Sequence, residues 1–184
     1  LRNPITFLIL FSFFLPMKGL LLLSGGFDSP VAGLLMKKKM DLEAIHFSLE
    51  PFTGPEPVEK AKRLAKKLSL ERLHVVKHGD IQSRIAEDCR HKYYFVLTRR
   101  LMLRTAERLA KDLECDYLIT GENLSQVSSQ TLANMTTTDK AVSMNVLRPL
   151  LGMDKMEITA MAKEFGTYET SKGPETCNVL GPNN

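Results

Sequence analysis

The sequence predicts an α/β fold, a parallel five-stranded sheet with helices on both faces. Two observations lead there. Short apolar runs alternate with helical patterns from Leu20 to Phe165, the signature of repeated strand–helix units. The first run, Leu20–Leu23, is continuously apolar instead of alternating, as in a parallel strand buried on both faces.

In order, Leu20–Leu23 is strand one, and Pro30 to Lys39 is a helix with its proline in the first turn, where a missing N–H costs nothing. Leu42–Ser48 is strand two, and Glu50–Pro57 is a Pro- and Gly-rich loop. Val58–Leu70 is amphipathic, with Val58, Ala61, Leu64, Ala65 and Leu68 on one face and lysines opposite. Arg72–Lys77 is strand three. Ile81–Leu113 is helical, with a break near Asp88–Lys92. Asp116–Thr120 is strand four, and Asn123–Met135 is a polar helix or helical turn. Met144–Pro149 is strand five, Met153–Phe165 is the last helix with Asp154 placed to cap it, and the tail is loop. Right-handed crossovers bring every strand's C-terminal end to one edge, where such sheets bind ligands.

A chain of 184 residues makes one domain with a sizeable core. A net charge of +4 permits an anionic partner without demanding one. Cys89, Cys115 and Cys177 are an odd number, far apart, with no CxxC pair, so they are not a disulfide framework and point to a reduced, cytoplasmic setting. The apolar stretch Ile5–Pro16 is too short to span a bilayer, which takes about 20 residues. Behind Arg2 it could form the core of a signal peptide. The preferred reading makes Met17 the functional start, residues 1–16 an extension or artefact, and residues 17–184 the domain.

The chemistry is concentrated in "SGGFDS", Ser24–Ser29, between strand one and the first helix. Glycines there allow a tight turn and close approach of backbone to a ligand. The N–H groups opening the helix form an anion site, strengthened by the helix dipole. Ser24 and Ser29 can add hydroxyl donors, while Asp28 is out of place beside a phosphate unless Mg²⁺ bridges the two. The combination suggests a nucleotide polyphosphate with its metal. Neither GxxxxGK[ST] nor GxGxxG is present.

"SGGFDS" resembles the pyrophosphate loop of the PP-loop ATP pyrophosphatases, of the adenine nucleotide alpha hydrolase-like fold, which split ATP to AMP and pyrophosphate and adenylate a carbonyl oxygen. "ITGENLSQVSSQTLANM", "LRPLLGMDKMEI", "EAIHFS", "RRLMLR" and "FGTYETSKGPETC" resemble the tRNA 4-thiouridine synthases (ThiI), also linked to thiamine biosynthesis, over nearly the whole chain from Met17. This resemblance implies ATP and Mg²⁺ as cofactors, and 4-thiouridine formation in tRNA as the activity.

It also implies residue roles. Leu22 and Leu23 would contact the nucleotide through backbone, beside Ser24, Gly25, Gly26, Asp28 and Ser29 of the loop. His46 and Phe47 match the pair at adenine and ribose; Arg99, Gly121 and Gln130 match the remaining nucleotide contacts, with a one-residue slip to Arg100 left open. Asp28 and Lys155 would carry the chemistry. Asp28 would position Mg²⁺ or the loop, and Lys155 would face the triphosphate although a lysine opposes the helix dipole at that position. Cys177 matches a cysteine of sulfur transfer, whereas Cys89 and Cys115 look structural.

Family members typically carry an N-terminal THUMP domain that binds tRNA, and some a rhodanese-like domain that delivers sulfur. Neither fits in this chain, so the resemblance implies a catalytic domain alone, either served by a separate THUMP-type partner or a truncated gene product, with a persulfide carrier as sulfur donor, no membrane partner and a homodimer allowed. The lysines Lys60, Lys62, Lys66 and Lys67 read as an ordinary solvated face. Two other readings stay open: an enzyme adenylating a different small or nucleobase acceptor, and a nucleotide-binding module without turnover. If Cys177 transfers sulfur, the tail after Gly173 must fold back over the C-terminal sheet edge or be mobile enough to reach it.

Overall fold

The computed structural model describes residues 17–124, 130–173 and 179–181. The apolar N-terminal stretch and Cys177 lie outside the described residues. Strands β1 (Lys18–Leu22), β2 (Asp41–Ser48), β3 (Leu73–Lys77), β4 (Tyr117–Ile119) and β5 (Asn145–Leu147) form one sheet in the order β3-β2-β1-β4-β5. All four pairings are parallel, with Leu21 of β1 opposite Ala44 of β2 and Ile119 of β4. The helices are α1 (Asp28–Lys37), α2 (Glu56–Lys67), α3 (Gly79–Asp88), α4 (Tyr94–Asp112), α5 (Leu132–Asp139), α6 (Lys155–Glu164) and the single turn α7 (Tyr168–Ser171).

The continuous leucine run of β1 feeds both faces, because successive side chains of a strand point to opposite sides. Leu21 and Leu23 enter a core with Val31 and Met36 of α1, Leu64 of α2 and Ile158 of α6. Leu20 and Leu22 enter the other, with Leu103, Ala106 and Ala110 of α4. Each fully buried leucine contributes roughly 1.5–3 kcal/mol relative to exposure.

The chain builds outward from β1 through β2 to β3, then crosses back to place β4 on the other side of β1. Strand order therefore reverses between β1 and β4. Connections leave those two strands toward opposite faces, and a crevice opens at their C-terminal ends. The Ser24–Ser29 loop emerges at this point.

Most differences from expectation lie at element ends, but in place of the helix or helical turn expected over Asn123–Met135 the described helix runs from Leu132 to Asp139, opened by a Thr131 side-chain cap. α1 opens at Asp28, two residues before Pro30. The break near Asp88–Lys92 is present: α3 ends at Asp88 and a 3₁₀ turn, His91–Tyr93, leads into α4. Asp154 caps α6 in a full capping box, accepting from Met156 and Glu157 N–H groups while the Glu157 carboxylate accepts from Asp154 N–H. The tail, expected to be loop, contains α7. Thr167 just before it is fully buried and donates its hydroxyl to Ala162 O at 3.3 Å, and Tyr168 packs against Phe27 at 5.1 Å between ring centroids. Tertiary contact thus holds a turn that no periodicity announces. Among the described residues no helix is long and apolar enough to cross a membrane.

Candidate active site

The anion loop is closed by its own hydroxyls. Ser24 Oγ and Ser29 Oγ lie 2.9 Å apart, Ser24 N–H donates to Ser29 Oγ at 2.8 Å, and Gly26 N–H donates to Ser24 Oγ at 3.2 Å. The hydroxyls expected as ligand donors therefore hold the turn in shape. Phe27, the residue before α1, offers no side-chain cap, so the first N–H groups of α1 keep their capacity to bind an anion.

Gly121, just past β4, lies directly on this loop. A Cβ added there would stand 2.5 Å from Ser29 N and 2.7 Å from the Asp28 carbonyl carbon. Backbone packs on backbone at the switch point, which only glycine permits.

The crevice is a cavity of about 750 Å³. Leu22, Leu23, Ser24, Gly25, Gly26, Asp28, Ser29, His46, Phe47, Arg99, Gly121 and Gln130 all line it. Sequence positions spread over more than half the chain thus converge on one wall. Lys155, by contrast, is exposed at the first turn of α6 and is not among the lining residues.

His46 is buried at the end of β2, 2.9 Å from Leu23 O through Nδ1. Burial lowers its pKa, the Leu23 bond opposing only in part. A carbonyl can only accept, so Nδ1 carries the proton and Nε2 is a bare acceptor. That Nε2 is buried without a partner, in a residue lining the cavity. A buried unmet acceptor is costly, and a ligand N–H or O–H would satisfy it.

Glu122 is 5% exposed and sits between two arginines, 3.4 Å from Arg99 Nε and 2.8 Å from Arg148 Nε. Thr120 donates to it at 3.1 Å. Burial alone would raise the Glu122 pKa; Arg99 and Arg148 outweigh burial and hold it below the usual carboxylate value. Arg148 also grips Asp139 of α5 through both terminal nitrogens, at 3.0 and 2.6 Å. Gln130 accepts from Asn123 N–H at 3.0 Å, and Asn123 in turn donates to Met153 O. Arg99 and Gln130 are therefore fixed before any ligand arrives.

A second polar cluster closes another part of the wall. Tyr94 donates to Gln82 Oε1 at 3.1 Å, and Gln82 donates to His78 Nδ1 at 2.9 Å. The His78 ring meets Phe47 edge-on at 4.9 Å. Burial pushes the His78 pKa down to about 4. Sequence reading missed Gln82, Tyr94, Glu122 and Arg148, because burial of a polar side chain is visible only in three dimensions. Glu122 and Arg148 carried a signal, their places inside "ITGENLSQ" and "LRPLLGMDKMEI".

Three of the four lysines of α2, Lys62, Lys66 and Lys67, are solvated as expected, and Lys60 departs from that face. Lys62 pairs with Glu59 at 2.7 Å, and Lys67 donates to Gly166 O at 2.7 Å. Lys60 lines the cavity, with Arg63 one turn on and Lys172 beyond α7. The reason is geometric: Lys60 lies in the part of α2 nearest the C-terminal edge of the sheet.

Gly173 lines the cavity as well, and Gly181 sits against the rings of Tyr94 and Phe95, where a Cβ would come within 3.1 and 3.2 Å. Of the described residues flanking Cys177, Gly173 lines the cavity and Gly181 packs on two rings that line it. Cys115 is buried, and burial raises its thiol pKa to about 11, which makes it a poor nucleophile. Among the described residues no group of three or more His, Cys, Asp or Glu side chains could hold a metal alone. Magnesium needs less, since one or two carboxylates with substrate phosphates suffice. Asp28, in the wall at the first turn of α1, would meet that requirement with the phosphates of a nucleotide.

The family model of thiamine biosynthesis protein (ThiI) matches residues 15–183. A "Probable tRNA sulfurtransferase" of Brevibacillus brevis is 45% identical over 174 residues, covering 91% of this chain and 44% of the relative. One of Halothermothrix orenii is 46% identical over 172 residues, 90% of this chain and 43% of the relative. The chain thus spans under half the length of the curated relatives it matches. A solved 4-thiouridine synthetase–RNA complex with bound ATP superposes with a TM-score of 0.86 at 38% identity, over 91% of this chain and 46% of that one. NMN synthetase of Francisella tularensis, at 15% identity and TM-score 0.65 over 93% of this chain and 70% of its own, shares the fold.

Proposed function

This chain belongs to the thiamine biosynthesis protein (ThiI) family, and from that premise we propose that it is the ATP-dependent catalytic domain of a tRNA sulfurtransferase. A uridine carbonyl oxygen attacks the α-phosphorus of ATP. The bond to the β-phosphate breaks and pyrophosphate leaves. The terminal sulfur of a carrier persulfide then attacks the activated carbon and expels AMP, and a second thiol, the role proposed for Cys177, attacks the remaining S–S bond, so that 4-thiouridine leaves and a disulfide with the carrier cysteine forms. The observation that carries this reading is the convergence of the Ser24–Ser29 loop, His46, Arg99, Gly121 and Gln130 on one cavity at the reversal of strand order.

The loop N–H groups and the α1 dipole hold the phosphates. His46 offers Nε2 as an acceptor to the adenosine part, and Arg99, braced by Glu122, presents a fixed positive charge. Mg²⁺ held by Asp28 would neutralise charge on the phosphates. Lys155 reaches the leaving pyrophosphate only if its exposed chain swings in from α6. RNA binding falls to a THUMP-type partner or segment, sulfur comes from a persulfide carrier, and a homodimer remains compatible. The cytoplasm, where tRNA is modified and thiols stay reduced, is the assigned compartment; the described cysteines Cys89 and Cys115 are both free.

Product analysis with ATP labelled at the α- and γ-phosphates, in the presence of unmodified tRNA, tests the reading. AMP and pyrophosphate are expected. ADP as the main product overturns it, and product without tRNA points to a different acceptor. Asp28→Ala should abolish pyrophosphate release while folding normally, at a cost of at most about 1 kcal/mol for a carboxylate lost from the first turn of α1.

A further inference from the structure

We propose that Lys60 binds the β- and γ-phosphates of the nucleotide and so stabilises the departing pyrophosphate. This rests on the functional reading above and adds to it a residue from a helix outside the anion loop.

The stem of Lys60 lies against the first glycine of the loop: a Cβ on Gly25 would stand 3.0 Å from Lys60 Cδ. The absence of a side chain at Gly25 is what lets this stem approach. Its ammonium nitrogen lies 3.8 Å from where a Cβ on Gly173 would be. Lys60 is therefore held between the anion loop and the tail, half-buried, in the cavity wall. Its stem supplies apolar packing and its head remains polar.

The charges around it favour an anion. Arg63, one turn further along α2, lines the same cavity, as does Lys172, whose charge is shared with Glu169 at 2.8 Å. Of the carboxylates in the wall, Glu122 is already matched by Arg99 and Arg148. Asp28 and Glu56 also line the wall, and one or two carboxylates are what a magnesium ion on a polyphosphate requires. Independently of these charges, the lining residue His46 carries a buried Nε2 acceptor without a partner, which a ligand N–H or O–H would satisfy. His46 and Phe47 at the end of β2 take the adenosine, so the polyphosphate extends along the loop toward Gly25 and Lys60. A cation there meets charge that grows on the leaving group in the transition state.

The test compares ATP with AMP, both measured by calorimetry with Mg²⁺ on the full 184-residue chain. Lys60→Met should weaken ATP by about tenfold or more, the loss expected for one hydrogen bond between charged groups. AMP binding should be unchanged, which also reports that the variant is folded. Lys60→Arg should restore most of the ATP affinity. In the wild-type protein, ATP and inorganic pyrophosphate should protect Lys60 from amine acylation, read by mass spectrometry, whereas AMP should not; exposed Lys66 should label equally throughout. Equal weakening of ATP and AMP, unchanged ATP affinity, or acylation of Lys60 indifferent to ATP each overturns the proposal. If the wild-type chain binds neither nucleotide, the functional reading itself fails.

Discussion

Gly121 shows how one residue can be read correctly for an incomplete reason. The sequence marks it as a turn after β4 and as a match to a nucleotide contact. Its place on Ser29 N and the Asp28 carbonyl carbon adds a steric demand that neither reading contains. Gly121→Ala would drive a methyl group into the backbone of the anion loop. The backbone cannot rotate away as a long side chain can, so the loop must shift. We expect a stability loss of about 1–3 kcal/mol, as for overpacking in a dense core, and a larger proportional loss of ATP affinity. Thermal melting and ATP titration of the same variant check both. A variant with normal stability and normal ATP affinity would show that the loop tolerates displacement. His46 presents the opposite case. Its position was legible from strand periodicity and the family match, but its bare Nε2 follows only from the Leu23 hydrogen bond.

Elements were legible where their signals are local. The capping box of α6 is written in "DKME", and β1 in four leucines. The anion loop was legible because two glycines, two serines and an aspartate fall together between an apolar strand and a helix. What stayed hidden is held together across elements. The His78–Gln82–Tyr94 chain joins the end of β3 to α3 and α4, and each member is an ordinary residue until all three are buried. This chain carries a pH signature. Burial lowers the His78 pKa to about 4, while the unfolded chain keeps a value near 6.5. Between those values the unfolded state binds a proton that the folded state refuses. Stability is therefore full above about pH 6.5 and falls as the pH drops toward about 4. His46, also shifted down by burial, acts in the same direction. His78→Phe should flatten the decline measured by denaturant unfolding between about pH 7 and pH 5. It should also lower stability at pH 8 by about 1–3 kcal/mol, because Gln82 loses its buried acceptor. An unchanged slope would mean that His78 takes up its proton without unfolding the cluster.

At the scale of the whole molecule, strand order decides what can meet. The reversal between β1 and β4 brings the anion loop and Gly121 together, and the tail returns to the same edge, with Gly173 in the cavity wall and Gly181 on Tyr94 and Phe95. Cys177 falls between these two glycines in sequence. Adenylation and sulfur transfer are separate displacements at separate atoms, phosphorus first and carbon second. If Cys177 takes part only in the second, mutation should separate the two. Cys177→Ser should still release pyrophosphate from ATP when tRNA and its binding partner are supplied, and should form little 4-thiouridine. Cys115→Ser should thiolate at the wild-type rate apart from any stability loss, because a buried thiol with a pKa near 11 has almost no thiolate at neutral pH. Pyrophosphate release and thiolated nucleoside, quantified in the same reaction, give both readings at once. If Cys177→Ser thiolates as fast as the wild type, sulfur reaches the activated uridine directly from the external carrier. The tail would then contribute only packing against Tyr94 and Phe95.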